Sequence, residues 1–226
     1  KVRNSTASIV NPGVSVYADA LTNGNGGKVV VWSDGYTYFL GKIAAQGGAA
    51  SGDGGFVETS GKGYLQFDGQ VDTTAMNGKI GSLLLDPRTL TIQFSGSNDA
   101  DLDGNQVSFN EPSNSSNSTI TASVLATALD GNNVTLEANT DIIFNESVLA
   151  TGTSSNRGNL TLSAGRSIEL ANNVQISLND RNFTATINDG GASTGSTSSG
   201  TPHRAIGPAE FNMGTGSSIV TNGGNI

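Results

Sequence analysis

The chain contains no cysteine, which excludes a disulfide framework, a thiolate metal site and a thiol nucleophile. Its single histidine is His203, so mechanisms built on a histidine pair, common zinc hydrolases included, lack their ligands. Basic residues are few: 11 Lys and Arg stand against 19 Asp and Glu, a formal charge of −8. Phosphate neutralisation needs clustered cations, and nucleic acid is not expected as a partner. No stretch approaches the roughly 18 consecutive apolar residues of a membrane span, and no membrane insertion is expected.

What is there is mostly turn-forming. Gly, Asn, Ser and Thr supply nearly half of the 226 residues, a composition that suits either disorder or a fold spending many residues on corners. The chain opens at Lys1 with neither an initiator Met nor the apolar core of a signal peptide, and is expected to be an internal fragment of a longer polypeptide. An acidic, cysteine-free, Ser/Thr/Asn-rich chain fits export across an envelope.

Internal repetition decides between disorder and corners. Asn133-Val134-Thr135-Leu136 recurs 26 residues on as Asn159-Leu160-Thr161-Leu162. At the same spacing Ile142 falls on Ile168 and Val148 on Val174, and further starts occur at Asn182-Phe183 and Asn225-Ile226. The last interval is lengthened by a Gly/Ser/Thr-rich run expected to leave the repeat as a loop at about residues 188–207. In the first half, Gly27-Lys28-Val29, Gly55-Phe56-Val57 and Gly81-Ser82-Leu83 begin related units, with Gly41-Lys42-Ile43 matching Gly69-Gln70-Val71 and Val14-Ser15-Val16 supplying an earlier second strand.

Each unit holds two or three short runs with period-2 alternation, separated by Gly, Asn, Asp or Ser. These runs are too short for helices and too close for βαβ crossovers. An all-β fold follows, a parallel β-helix with coils of about 26 residues, stacked at about 4.8 Å. Inward columns would be Val134, Leu160 and Phe183, and Ile142 with Ile168. Asn133, Asn159 and Asn182 would share a corner, where asparagine tolerates left-handed backbone and bonds to the levels above and below. Residues 1–86 read as a first β-helical section, 87–131 as an insertion, and 132–226 as a second section. Within the insertion, Val124, Leu125, Ala128 and Leu129 form one apolar face, with Thr121 as N-cap and Gly131 as the stop, which predicts a short helix against the side of the stack.

The wording of the repeats adds to their period. Gly26-Gly27-Lys28-Val29-Val30-Val31-Trp32-Ser33-Asp34, Gly52-Asp53-Gly54-Gly55-Phe56-Val57-Glu58-Thr59-Ser60-Gly61 and Leu83-Leu84-Leu85-Asp86-Pro87 resemble the run found in filamentous-haemagglutinin-like exoproteins of two-partner secretion systems. The resemblance covers about residues 14 to 92 closely and 119 to 178 more loosely, the latter through Asn133-Val134-Thr135-Leu136 and Ala164-Gly165-Arg166-Ser167-Ile168. The resemblance implies an all-β fold, a right-handed parallel β-helix, in a large secreted Gram-negative surface adhesin exported through a dedicated outer-membrane transporter engaged by a region outside this fragment. The family includes adhesins, haemolysins and contact-dependent toxins, so attachment to a receptor or glycan and a passive spacer role both stand. The Asn-Pro motifs of the family's secretion domain are not evident, Asn11-Pro12-Gly13 being a fragmentary echo.

Among local motifs, Asp99, Asp101 and Asp103 alternate before Gly104, with Asn105 and Glu111 following. Oxygen donors on alternate residues before a turn-permitting glycine suit Ca²⁺, although Asn110 and not Glu111 holds the twelfth position; the alternative is a solvated acidic loop. Asp68, Asp72, Glu58 and Lys42 are the residues a polysaccharide-modifying site would draw on, but scattered surface charge is the plainer reading and no enzymatic activity is expected. Trp32, Tyr36, Tyr38 and Phe39 offer rings that either stack on a sugar or pack the coil. His203 reads as a bystander on a loop, and the Asn-Xaa-Ser/Thr triplets at Asn114, Asn117, Asn133 and Asn145 are what the composition gives by chance. The chain is expected to be a secreted, monomeric rod.

Overall fold

A computed structural model describes residues 3–94, 102–103, 106–107, 118–152, 156–192 and 204–226. Strands β1 (Ala7–Val10), β2 (Ser15–Tyr17), β3 (Lys28–Ser33), β4 (Tyr36–Phe39), β5 (Lys42–Ala44), β6 (Phe56–Gly61), β7 (Tyr64–Phe67) and β8 (Gln70–Asp72) come first. They are followed by β9 (Ser82–Leu85), β10 (Leu90–Gln93), β11 (Leu102–Asp103), β12 (Gln106–Val107), β13 (Ser118–Thr121) and helix α1 (Ala122–Ala128). The rest comprises β14 (Asn133–Ala138), β15 (Ile142–Phe144), β16 (Val148–Ala150), β17 (Leu160–Ala164), β18 (Ile168–Leu170), β19 (Gln175–Leu178), β20 (Phe183–Thr186), β21 (Phe211–Met213) and β22 (Ser218–Val220).

The fold is all-β with parallel sheets, apart from the short antiparallel pair β11-β12. A six-stranded sheet orders β3-β6-β9-β14-β17-β20, an eight-stranded sheet orders β1-β4-β7-β13-β10-β15-β18-β21, and a third face holds the triplets β2-β5-β8 and β16-β19-β22. Each strand of the regular levels therefore pairs with its counterpart one repeat later, and the chain visits the faces in rotation. Alternation does the rest: Val57, Leu83, Val134, Leu160 and Phe183 stand in register as one buried column, and Ile142 meets Ile168 in another. Each such side chain withdrawn from water contributes about 1.5–3 kcal/mol.

The corner asparagines form a ladder. The backbone N–H of Asn159 donates to Asn133 Oδ1 at 3.1 Å, that of Asn182 to Asn159 Oδ1 at 2.8 Å, and that of Asn225 to Asn182 Oδ1 at 2.9 Å. None of these four has left-handed backbone, contrary to expectation. Positive φ falls instead on Asn173, Asp180, Asn188 and Asn222, in the turns between strands. The ladder residues avoid that conformation because each must present its own N–H and its side-chain oxygen along the stack.

The expected pairing of Val148 with Val174 is wrong by two residues: Val148 pairs with Ile176. From Leu170 to Ile176 the chain spends two more residues than from their partners Phe144 to Val148, on the turn that places Asn173 at φ 60°. A slip of two keeps every side chain on its own face, so both registers satisfy the hydrophobic pattern.

Residues 87–131, expected as an insertion holding a strand at Thr89 to Phe94 and a short helix against the side of the stack, supply β10 and β13 to the eight-stranded sheet. β13 lies between β7 and β10, pairing with both, and β10 passes the ladder on to β15. The later strand thus occupies the earlier level. Helix α1 follows β13, capped by Thr121, whose Oγ1 accepts the Val124 N–H at 3.2 Å. It buries Ala122, Leu125 and Ala128 and packs against β8 on one side and β16 on the other, standing on the third face where a strand would be. A helix is about 10 Å across, roughly two strand spacings, and the eight-stranded sheet carries the matching pair, β13 and β10, at that level.

Candidate ligand groove and loop base

On the third face the change from strand to helix makes a step, and the step makes a groove. Outward side chains of β5 and β8, with Thr74 beyond, form one wall, and Ser123, Val124, Thr127 and Asp130 form the other, enclosing about 430 Å³. A smaller hollow of about 240 Å³ lined by Gly13, Val14 and Ser15 shares Lys42, Asp68, Gly69 and Gln70 with it. The two make one trough across successive levels. Three of the four polysaccharide-site candidates, Lys42, Asp68 and Asp72, line this trough. Glu58 does not; it lies on β6 beside Leu84 of β9, in the six-stranded sheet.

Asp72 is firmly held. Its Oδ1 accepts the Thr74 N–H at 2.9 Å and the Thr74 hydroxyl at 2.7 Å, and its Oδ2 accepts Gln46 Nε2 at 2.6 Å. Asp130 is engaged by Arg181 Nη2. Arg181 itself is 0% exposed, donates through Nη1 to the Ala150 carbonyl, and leaves Nε without a partner among the described residues. Burial pulls its pKa below the ordinary arginine value, with Asp130 opposing.

The free edge of β8 is closed by one side chain. Asn132, 0% exposed, donates through Nδ2 to the Val71 carbonyl at 2.8 Å, and its Oδ1 accepts the Thr73 N–H at 3.0 Å. Those are the two bonds that a residue on a neighbouring parallel strand would make with the peptides flanking Asp72. Nδ2 also donates to the Ala128 carbonyl at the end of α1, at 2.7 Å. Close packing holds the residue in place, since a Cβ on Gly158 would lie 1.6 Å from the Asn132 carbonyl oxygen. Sequence reasoning favours its neighbour Asn133 and passes over Asn132; the signal was an amide directly after a helix stop.

The base of the loop expected at 188–207 is anchored on both sides. On the outgoing side, Ser163 Oγ donates to Asp189, and Asn139 Nδ2 donates to the Ala192 carbonyl at 2.6 Å. The Ser163 bond and then the Gly191 N–H hold the Asp189 carboxyl below the usual range. On the returning side, Ala205 N–H donates to Thr140 Oγ1 at 3.1 Å, and Arg204 donates to Gly165 and Asn188. Arg166 grips Asp141 with two nitrogens, Nε at 2.8 Å among them, while its Nη1 reaches the Ile206 carbonyl at 3.1 Å. That places the Arg of the Ala-Gly-Arg-Ser-Ile stretch in charge of a loop base, with Ile206 97% exposed beside it. His203 lies outside the described residues.

An acidic patch occupies the outer side of the six-stranded sheet. Burial first, then the charges of Glu137 and Glu58, push Asp86 up from 3.8 to about 7. Glu137 is raised as well, by burial, then by Asp189 and Glu58.

The remaining candidates divide. Tyr38 and Phe39 are buried: Phe39 stacks on Phe67 at 5.3 Å within the core, and Tyr38 packs against Tyr64 at 5.7 Å and Tyr36 at 5.6 Å on the opposite side of the same strands. These rings pack the fold. Of the Ca²⁺ set, Asp99, Asp101, Asn105 and Glu111 lie outside the described residues, as does the side chain of Asp103. Among the described residues no group of three or more acidic or histidine side chains is placed to hold a metal ion. No protein-family model matches the chain and no curated protein matches it.

Proposed function

We propose that the chain is a section of a secreted Gram-negative surface adhesin of the filamentous-haemagglutinin-like kind, folded as a right-handed parallel β-helix and exported through a dedicated outer-membrane transporter. The observation that carries the reading is register: parallel pairs such as Lys28 with Phe56 and Ile142 with Ile168 run level upon level, with departures at the corners and at α1. A stack that shares its core between levels is stiff along its length, and stiffness lets corner loops be presented in fixed places. The doubly anchored base between Asp189 and Ile206 is built for that task. In this reading the protein binds a host-cell or bacterial surface receptor or glycan as a monomeric rod and carries out no catalysis. Asp72 supports the latter point, because three donors already hold its carboxylate. The segment with Asp99, Asp101, Asp103, Asn105 and Glu111 is assigned to Ca²⁺.

The test is binding of the labelled chain to epithelial cells and to a glycan panel, with calcium and again with a chelator. Saturable binding supports the adhesin, and its loss on chelation supports the calcium assignment. No binding in either condition overturns the adhesive reading in favour of a spacer stalk carrying a distant toxin or haemolysin domain.

A further inference from the structure

Resting on the adhesive reading, we infer that the trough between β8 and α1 is a binding subsite for a neutral oligosaccharide. The volume of about 430 Å³ is that of a ligand site, and its lining joins apolar surface to a few convergent polar groups, as ligand sites do. Here the walls offer hydroxyls, an amide, carboxylates and one ammonium group, with Val71, Val124 and Ala128 as an apolar strip. That mixture matches a ligand whose hydroxyls donate and accept around a C–H face.

Preorganisation supports the assignment. A carboxylate offers about four acceptor sites, and Asp72 uses three on Thr74 and Gln46, which leaves a fixed oxygen lone pair for a ligand hydroxyl. Opposite it stands Gly131, whose added Cβ would come within 3.4 Å of Thr74 Cγ2 and 3.8 Å of Asp72 Oδ1. A side chain at that position would grow into the trough. The continuation over Ser15, Lys42 and Gln70, which are stacked in register, extends the surface over three levels, roughly 10 Å at the strand spacing. An extended oligomer fits that shape better than a compact ligand.

The same geometry disfavours other ligand classes. Peptides that dock on sheet edges add a strand through backbone bonds, but Asn132 already takes the Val71 carbonyl and the Thr73 N–H. Recognition must therefore run through side chains. Uronates and sialosides would bring a further carboxylate up to the lining carboxylates of Asp68, Asp72 and Asp130, with Lys42 as the cation in the lining. Among the described residues no aromatic ring lines the trough, so affinity comes from hydrogen bonds and rises through multivalent display.

The experiment uses the whole chain against neutral oligosaccharides, sialylated and uronate oligosaccharides, and oligolysine, with cell attachment measured in parallel. Two variants sit on exposed positions away from the core: Thr127→Trp, which fills the trough, and the pair Lys42→Ala with Gln70→Ala. Neutral oligosaccharides should bind saturably, and either variant should weaken that binding at least tenfold with an unchanged melting temperature. Neutral binding that the variants leave unchanged overturns the subsite, as does preference for the charged probes. Cell attachment that persists without any oligosaccharide binding overturns the subsite while sparing the adhesin; loss of both sinks both.

Discussion

Two stretches of the molecule solve the same problem differently. From β3 to β8 the chain repeats itself, and each level is held by main-chain bonds to the next. From β9 to α1 the repeat is broken, with two strands delivered to one sheet in reversed order and a helix in place of a strand. There the missing backbone partner is replaced by side chains: Asn132 closes β8, and Arg181 reaches Asp130 at the end of the helix. Regular levels carry smaller hollows, such as that over Ser15 and Lys42, whereas the irregular level makes the step that opens into the groove. Stiffness and recognition thus belong to different parts of the same stack.

The largest expected effect lies in the regular part. Ile168 is fully buried between Ile142 and Phe211, and Ile168→Asp places an unpaired carboxylate in the shared core at a cost of several kcal/mol. Thermal melting checks it; a melting temperature within error of the parent would mean that this column does not face inward. The irregular part is tested next by its ion pair. Asp130→Ala leaves Arg181 buried without its counter-ion; because Asp130 is 42% exposed and its attraction is screened, the cost should be about 1–3 kcal/mol. Arg181→Met removes the charge and keeps apolar bulk, so it should cost clearly less in the same denaturant titration. Equal losses would show that the pair acts by attraction alone and that a buried cation without its partner carries no added penalty.

Two further substitutions separate the two kinds of edge bond. Asn132→Ala strips the Val71 carbonyl and Thr73 N–H of their partners in a buried place, at about 1–3 kcal/mol for each group left unpaired. Asn159→Ala removes a ladder rung in which Asn182 N–H loses one acceptor at a half-buried corner, and should cost about 1 kcal/mol. If hydrogen exchange of Thr73 is unchanged in Asn132→Ala, the side chain does not substitute for a strand.

Much of the regular part was legible in the sequence, because period-2 alternation and a repeating Asn both write themselves at a fixed interval. Val134, Leu160 and Phe183, the Asn133 ladder and the Thr121 cap could be read directly. The slip that pairs Val148 with Ile176 could not, since two residues is one full period of a strand. The order β7, β13, β10 was hidden for a related reason: Ser-Thr-Ile-Thr and Leu-Thr-Ile-Gln both alternate correctly, and alternation says nothing about level. The groove was half visible. Lys42, Asp68 and Asp72 stand out from strand spacing, while Ser123, Thr127 and Asp130 join them only because α1 replaces a strand, a substitution that local pattern does not encode.

A test of a different kind, read through pH, returns to the regular sheet and its acidic face. Asp86 is held at about 7 against an ordinary 3.8, so the folded state binds this proton more tightly than the unfolded chain does. The sign follows from proton linkage: between about pH 4 and 7 the folded state carries more protons, stability falls as pH rises through that window, and above it the loss is complete. Asp86→Asn removes the ionisation while keeping the shape. The variant should therefore be more stable than the parent at pH 8, by on the order of 1–4 kcal/mol for a shift of this size, and nearly level with it at pH 4. Glu137, raised by burial and then by Asp189 and Glu58, should leave a fall of the same sign in the variant. Melting temperatures taken at pH 4, 6 and 8 decide the matter. A parallel pH profile for parent and variant would mean that Asp86 titrates as an ordinary exposed carboxylate, and the sheet's outer face would then be as open to water as the groove.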